Sequence, residues 1–281
     1  MSGVRVAAIQ MTTAADVAEN LAQAGKLLAQ AADRGAAVAA LPENFAFMGL
    51  ADADKRAIAE ADGAGQIQDF LARTAERHRL MVIGGTMPLR IEGGDGRVAA
   101  ASLVFDASGK RVARYDKIHL FDVDLPAAAE SYRESAHVAP GKRPQVIDTP
   151  AGRLGLAVCY DIRFPELFRL LSREGAEWFV LPSAFTGPTG EAHWHALQRS
   201  RAIENGAYMI SAAQAGVHED GRETFGHSMI VDPWGHMMTV ANGTEPEIIY
   251  ADIDVSQSAA ARAKIPNLKN ARAFSVETAG V

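Results

Sequence analysis

The sequence predicts an α/β protein of two β-sheets in layers with helices outside them. Short apolar runs of strand length alternate with amphipathic stretches of helical spacing along the chain. Two hairpin signals add strands that pair with their neighbours, so the sheets are mixed. No internal repeat, low-complexity tract or linker divides the sequence, so residues 1–281 are expected to form a single domain. With 48% apolar residues, a chain of this length can bury a large core without staples.

Each element follows from local pattern. Val4–Ile9 reads as a strand, because its apolar run after Arg5 is too short for a signal-peptide core. Asp16–Arg34 sets Val17, Leu21, Leu27 and Leu28 on one side of a helix that Gly35 stops. Ala36–Leu41 is a buried strand leading to Pro42-Glu43, Gln66–Arg79 is helical, and Leu80–Thr86 is a strand. Val98–Phe105 and Lys110–Tyr115 flank the turn Asp106-Ala107-Ser108-Gly109 and form a hairpin. Arg153–Val158 is a strand ending at Cys159, and Pro165 then opens a helix to about Glu174. Trp178–Leu181 and Ala207–Ala213 are strands around a helix at Gly190–Asn205. Phe225–Val231 and His236–Val240 make a hairpin around Asp232-Pro233-Trp234-Gly235, and Glu247–Ile253 is the last clear strand. From about Lys264 the chain is polar and Ala-rich, expected either to extend from the body or to dock on a partner subunit.

Composition excludes several classes of function. A formal net charge of -6 provides no basic footprint for nucleic acid or an anionic membrane. No apolar stretch reaches the length of a membrane-spanning helix. The single cysteine, Cys159, excludes an intrachain disulfide and multi-cysteine metal sites, and a reducing cytoplasm is the expected location. His193 and His195, two apart on a helix, point to different faces and cannot chelate together. Gly226-His227-Ser228-Met229-Ile230 lacks the second glycine of a nucleophile elbow. Neither G-x-G-x-x-G nor a Walker A pattern occurs, and no metal or organic cofactor is expected.

Three residues share one placement: Glu43, Lys117 and Cys159 each follow a predicted strand. Strand ends are where α/β folds gather reactive groups. A carboxylate, an ammonium and a thiol together form an acyl-transfer set. Taken singly, each has a plainer reading. A lone cysteine is more often a small buried hydrophobe, and a lone Glu or Lys after a strand is more often solvated. Spacing alone leaves both readings open.

The surrounding blocks decide between them. Leu41-Pro42-Glu43-Asn44, Tyr115-Asp116-Lys117-Ile118-His119-Leu120-Phe121-Asp122 and Gly155-Leu156-Ala157-Val158-Cys159-Tyr160-Asp161-Ile162-Arg163-Phe164-Pro165-Glu166-Leu167 resemble the three signature blocks of the nitrilase superfamily. They occur in the family's order, and the resemblance extends from the first strand to about Ile253. It implies a four-layer α-β-β-α sandwich that pairs into a homodimer or higher homo-oligomer. It also implies Glu43 as general base, Lys117 as oxyanion stabiliser and Cys159 as nucleophile. Glu134, in Tyr132-Arg133-Glu134-Ser135, resembles the second active-site glutamate, which holds the lysine and the substrate nitrogen. The backbone N–H of Tyr160 is expected beside Lys117 at the oxyanion. Near Lys117, and at a turn into a helix, the Cys159 thiol is expected to be acidified. Two carboxylates around one lysine are expected to titrate as a coupled group, giving a bell-shaped pH–rate profile.

The block from Pro182 to Trp194, with Arg199–Asn205 and Phe225–Gly235, looks like the amidase branch acting on ω-amides of 2-oxo acids and on deaminated glutathione, closer to the latter type. The implied chemistry uses a small amide and water and releases ammonia. In resembling enzymes the matching arginine and threonine contact the substrate acid group, which implies Arg163 and Thr189 here, with Phe185 lining the pocket. Against these stand an ion pair of Arg163 with Asp161 or Glu166, a capping threonine and a core aromatic. The charged loop His218–Glu223 is of a type that varies among members, and its bearing on a longer substrate tail stays open. Nitrilase, carbamoylase and N-acyltransferase chemistry would share the same three groups. An idle binding protein would have been free to lose any of them.

Overall fold

The computed structural model describes residues 3–125 and 130–278. The N-terminal half builds most of a seven-stranded sheet: β1 (Val4–Gln10), β2 (Val38–Ala40), β3 (Met81–Ile83), β4 (Met87–Arg90), β5 (Val98–Phe105) and β6 (Arg111–Asp116). A two-stranded ribbon follows, β7 (Asp122–Leu125) with β8 (Glu130–Arg133). The second sheet has six strands: β9 (Val146–Thr149), β10 (Gly152–Leu156), β11 (Trp178–Val180) and β12 (Tyr208–Ser211), then β15 (Met229–Val231) and β16 (Met237–Val240). Between β12 and β15 lies a second ribbon, β13 (Ala215–Val217) with β14 (Glu223–Phe225). The last strand, β17 (Glu247–Ile253), returns to the first sheet and pairs antiparallel with all of β1.

The helices are α1 (Val17–Asp33), α2 (Gln66–His78), α3 (Pro165–Arg173), α4 (Gly187–Asn205), α5 (Val255–Lys264) and the short α6 (Asn267–Asn270). Asp16 caps α1 by accepting from the Glu19 N–H. At α2 the cap residue is Gly65, and Glu60 substitutes for a capping side chain by accepting from the N–H groups of Ile67 and Gln68.

Two-residue periodicity sorts the layers. Ala7, Ile9, Ala39 and Val82 face Leu28 of α1 and Leu71 of α2 in one buried cluster. Their neighbours Val6, Ala8, Val38 and Ile83 belong to a second cluster shared with Leu154, Leu156 and Val180 of the other sheet. On that sheet's far side, the Phe179 ring meets Phe168 of α3 edge-on at 5.1 Å. The molecule is therefore the four-layer α-β-β-α sandwich expected. Each buried Leu, Ile or Phe contributes roughly 1.5–3 kcal/mol to holding the layers together.

Several boundaries differ from the sequence expectation. The strand expected at Leu80–Thr86 stops at Ile83, because Gly85 turns back with φ +48° and donates to the Ile83 carbonyl. Gly85 also lets another segment approach: a Cβ there would lie 1.9 Å from the Pro42 carbonyl oxygen. The helix expected from Gly190 starts at Gly187, with Pro188 accommodated in its first turn. The strand expected at Phe225–Val231 is split at Gly226 and His227, both at positive φ. The strands β4, β7, β8, β9 and β13 are short and carried no periodic signal. Helix α5 also escaped, since its apolar positions are mostly alanine. Beyond α6, residues 271–278 form neither helix nor strand, and Phe274 and Val276 are exposed.

This topology gathers loops at one end. Strands β1, β2 and β3 run parallel, as do β10, β11 and β12. Strand β6 is antiparallel to β5, itself antiparallel to β3, so β6 shares the direction of β3. The C-terminal ends of β2, β6 and β10 carry Glu43, Lys117 and Cys159.

Candidate active site

Lys117 leaves β6 and is almost wholly buried, with a side chain 2% exposed. Its ammonium donates to Glu43 Oε1 at 2.8 Å and to both oxygens of Glu134 at 3.0 and 2.9 Å. Glu134 is fixed in turn by the Phe121 N–H, which donates to its Oε2 at 2.6 Å. A buried ammonium without partners would lose its proton. Here two carboxylates complete its donor geometry. Burial alone would depress the Lys117 pKa, but Glu134 and Glu43 outweigh it and hold the group well above a free lysine.

Glu43 is mounted rigidly. The Gln214 amide donates to the Glu43 carbonyl at 2.8 Å and to Thr13 Oγ1 at 2.7 Å. The next residue, Asn44, adopts φ +57° and donates its N–H to Thr86 Oγ1. The close approach of Gly85 to Pro42 backs the same peptide.

Cys159 opens a 3₁₀ turn, Cys159–Arg163, with φ +46°, a sparsely populated conformation for a residue with a Cβ. Its N–H donates to the Pro182 carbonyl at 2.9 Å. The sulfur lies close enough to Glu43, the Ala184 N–H and Lys117 for all three to bear on its proton affinity. The N–H of Tyr160 sits in the first turn of that 3₁₀ segment, where backbone donors lack an intrahelical partner.

The thiol is not acidified, and here the sequence expectation is corrected. Burial and the Glu43 charge push its pKa well above the ordinary value, outweighing Lys117 and the Ala184 N–H. The group beside Glu43 is thus held toward its thiol form.

Glu43, Lys117, Glu134 and Cys159 line one cavity, together with Phe121 and Tyr160. Residues 5–263 match the carbon-nitrogen hydrolase family. The chain belongs to that family. Deaminated glutathione amidase of Synechocystis sp. is 41% identical over 266 residues, covering 94% of this chain and 96% of that protein. Omega-amidase NIT2 of Mus musculus is 36% identical over 284 residues, 99% of each chain. The crystal structure of Saccharomyces cerevisiae Nit3, a member of branch 10 of the nitrilase superfamily, matches with a TM-score of 0.84 at 31% identity, over 94% of this chain and 95% of that one. The family is thus the one its signature blocks implied, the carbon-nitrogen hydrolases of the nitrilase superfamily.

Among residues expected to bind substrate in the carbon-nitrogen hydrolase, Phe185 and Thr189 line the cavity as Tyr160 does. Phe185 packs edge-on against Trp194, and the Thr189 hydroxyl shares a hydrogen bond with Thr186 at 2.9 Å. Arg163 is placed differently. It is not among the lining residues. Its guanidinium lies over the rings of Phe185 and Tyr160, at 5.5 and 5.8 Å, and donates to His193 Nδ1 at 3.4 Å. The ion pair with Asp161 does not form, since that carboxylate is committed elsewhere. His193 and His195 have separate neighbours, the second facing Phe225 and His227. Among the described residues no three His, Cys, Asp or Glu side chains gather as a metal site, and no helix is long and apolar enough to cross a membrane.

Sequence reasoning missed the roles of four residues in this carbon-nitrogen hydrolase. Asp161 is wholly buried and accepts from the Val158 N–H, Tyr115 Oη, the His119 N–H and the His119 ring. Burial and Asp161 raise the Tyr115 pKa far beyond the physiological range, so the phenol stays a donor. Gln214 carried no local signal. Lys55 and Arg222 both line the cavity. Of these, Arg222 lies in the charged loop already singled out.

Proposed function

We propose that this amidase cleaves a small carboxylated amide, the ω-amide of a 2-oxo acid or deaminated glutathione, through a thioester on Cys159. The observation that carries the reading is Lys117 bonded between Glu43 and Glu134 beside the thiol. The names of the two relatives supply the substrate class.

As the sulfur attacks the amide carbonyl carbon, its proton passes to Glu43, which suits a thiol whose own pKa is raised. The carbonyl π pair moves to oxygen, facing Lys117 Nζ and the Tyr160 N–H. The intermediate collapses by breaking the C–N bond, and Glu43 returns the proton to the departing nitrogen. Ammonia or an amine leaves. Water then gives a proton to Glu43 and attacks the thioester. The C–S bond breaks, the thiol is restored and the acid is released. Glu134 keeps Lys117 aimed through both steps. Thr189 offers its hydroxyl to the substrate acid group, with Arg163 adding charge from beyond Phe185.

The same proposal takes residues 1–281 as one catalytic unit, acting in the cytoplasm as a homodimer or higher homo-oligomer. Exposed Leu170 on α3 and Ile203 on α4, with Phe274 and Val276 in the tail, supply apolar surface for a second copy. A monomer mass by light scattering would exclude the pairing.

The chemistry is tested by product release from 2-oxo-acid ω-amides, deaminated glutathione, nitriles and carbamoyl amines, with Cys159→Ala as blank. The expected result is turnover of the amides and an acyl adduct on Cys159 in the intact-protein mass spectrum. Turnover of nitriles or carbamoyl amines alone would replace the proposal. Absence of both product and adduct would remove it.

A further inference from the structure

We propose that His218 is a positioning residue for the general base: its ring holds the Thr13 carbonyl and, through Thr13 and Gln214, fixes the main chain from which the Glu43 carboxylate is aimed. The inference rests on the amidase reading above, in which Glu43 carries the proton.

The ring supplies a donor where a buried carbonyl needs one. His218 follows β13 and is 4% exposed. It is not among the residues that line the cavity, so it acts through its neighbours and not on the substrate. Nδ1 lies 2.9 Å from the Thr13 carbonyl oxygen, and Nε2 lies 2.8 Å from Thr224 Oγ1. A carbonyl only accepts, so Nδ1 carries the proton and donates. Burial lowers the His218 pKa, outweighing the Thr13 carbonyl and Asp220, which raise it, while Arg222 lowers it further. The ring is therefore neutral, and Nε2 accepts from the Thr224 hydroxyl. One tautomer satisfies both neighbours.

From Thr13 the hold passes inward. Thr13 is buried, its N–H donates to Gln214 Oε1 at 3.1 Å, and its Oγ1 accepts from Gln214 Nε2 at 2.7 Å. Both ends of the Gln214 carboxamide are thus set by one residue, and Nε2 also donates to the Glu43 carbonyl at 2.8 Å. The His218 ring fixes the peptide that follows Thr13, and with it the residue whose N–H and hydroxyl orient Gln214. Glu219 adds a second grip, its Oε2 accepting from the Ala15 N–H at 3.3 Å. On the other side of the ring, Thr224 of β14 bridges to Thr186, which lines the cavity. The charged loop that begins at His218 therefore stands between the mount of the base and one wall of the cavity.

The experiment uses two variants that keep different halves of the ring's bonding. His218→Asn places an amide nitrogen at the Nδ1 position and keeps a donor for Thr13. His218→Gln places its amide near Nε2 and leaves the Thr13 carbonyl without one. On a 2-oxo-acid ω-amide, His218→Gln is expected to lower kcat about 10- to 100-fold with KM changed less than about threefold, as for a reacting group moved by up to about 1 Å. His218→Asn is expected to restore most of that loss. Equal losses in both variants, or a loss in KM alone, would overturn the proposal. Alkylation supplies an arm that needs no substrate. Because the Glu43 charge bears on the sulfur, the pH curve for iodoacetamide alkylation of Cys159 reads where Glu43 stands. His218→Gln is expected to move that curve to lower pH by roughly half a unit, and to leave it in place in Glu43→Gln protein. An unmoved curve in the first case, or the same shift in both backgrounds, would overturn the proposal. Should His218→Gln not fold, Thr13→Val removes the hydroxyl that orients Gln214 and is expected to give the same two changes; wild-type kcat and an unmoved curve there would overturn it. A wild type that releases nothing from any amide would sink the amidase reading alone, because the alkylation arm still decides whether His218 sets Glu43.

Discussion

Asp161 and His119 meet twice: one carboxylate oxygen accepts from the His119 N–H at 3.1 Å and lies 2.7 Å from the His119 ring nitrogen. The other oxygen accepts from Tyr115 Oη and the Val158 N–H. His119 and Tyr115 flank Lys117 in sequence, while Val158 precedes Cys159. One buried carboxylate therefore bolts the ammonium-bearing segment to the thiol-bearing turn, and the His119 ring is stacked on Phe164 at 3.6 Å.

Replacing Asp161 by Asn would turn two acceptor oxygens into one oxygen and one donor. A stability loss of about 2–4 kcal/mol is expected, together with at least a tenfold loss in kcat. Thermal melting and steady-state kinetics on one preparation check this. An unchanged Tm would mean the network carries no weight.

Glu134→Gln removes one of the two charges holding the Lys117 proton. The pKa of Lys117 is expected to fall relative to wild type, and kcat to drop by roughly 10²-fold, as for loss of a group that orients an oxyanion donor. The alkaline limb of the pH–rate profile is expected to move toward neutrality. A limb fixed in place would separate Glu134 from Lys117.

Cys159 tests a sign. Its pKa is raised first by burial and then by the Glu43 charge, so at a given pH less thiolate exists than for a free cysteine. Alkylation by iodoacetamide is expected to climb with pH past the ordinary thiol range. Glu43→Gln deletes the charge and leaves Lys117 nearby, so the alkylation curve should move to lower pH even as turnover is lost. A shift to higher pH would overturn the sign assigned to Glu43.

Because its guanidinium stands behind Phe185 and Tyr160 and can act on substrate only by charge, Arg163→Gln is expected to raise KM about 5-fold for 2-oxo-acid amides while affecting neutral amides less. Kinetics on matched charged and neutral amides decide it. Equal effects would assign the guanidinium to supporting Phe185 and Tyr160 instead.

Much of this was legible in the linear chain because the decisive groups sit at strand ends inside distinctive blocks. Apolar run length delivered the strands β1 and β5, buried on both faces, and periodicity delivered the helices α1 and α2, each with one buried face. It failed where the chemistry was finished by pairs distant in sequence. Gln214 reaches Glu43 across the fold, and Asp161 reads locally as one more polar residue after the cysteine. Lys55 is unremarkable until its short turn is seen beside Glu134. The acidified thiol was a misjudgement of balance: proximity to a lysine was foreseeable, but not burial deep enough to outweigh it.

Gly85 has no functional group, yet its backbone occupies the space behind the Pro42 carbonyl. Any other amino acid there must displace the peptide that leads into Glu43, so position 85 is chemically silent but geometrically coupled to the base. In a saturation library scored by turnover, it should register as intolerant beside the reactive residues themselves. Loss of activity on its own would then be a poor guide to which side chains touch the substrate.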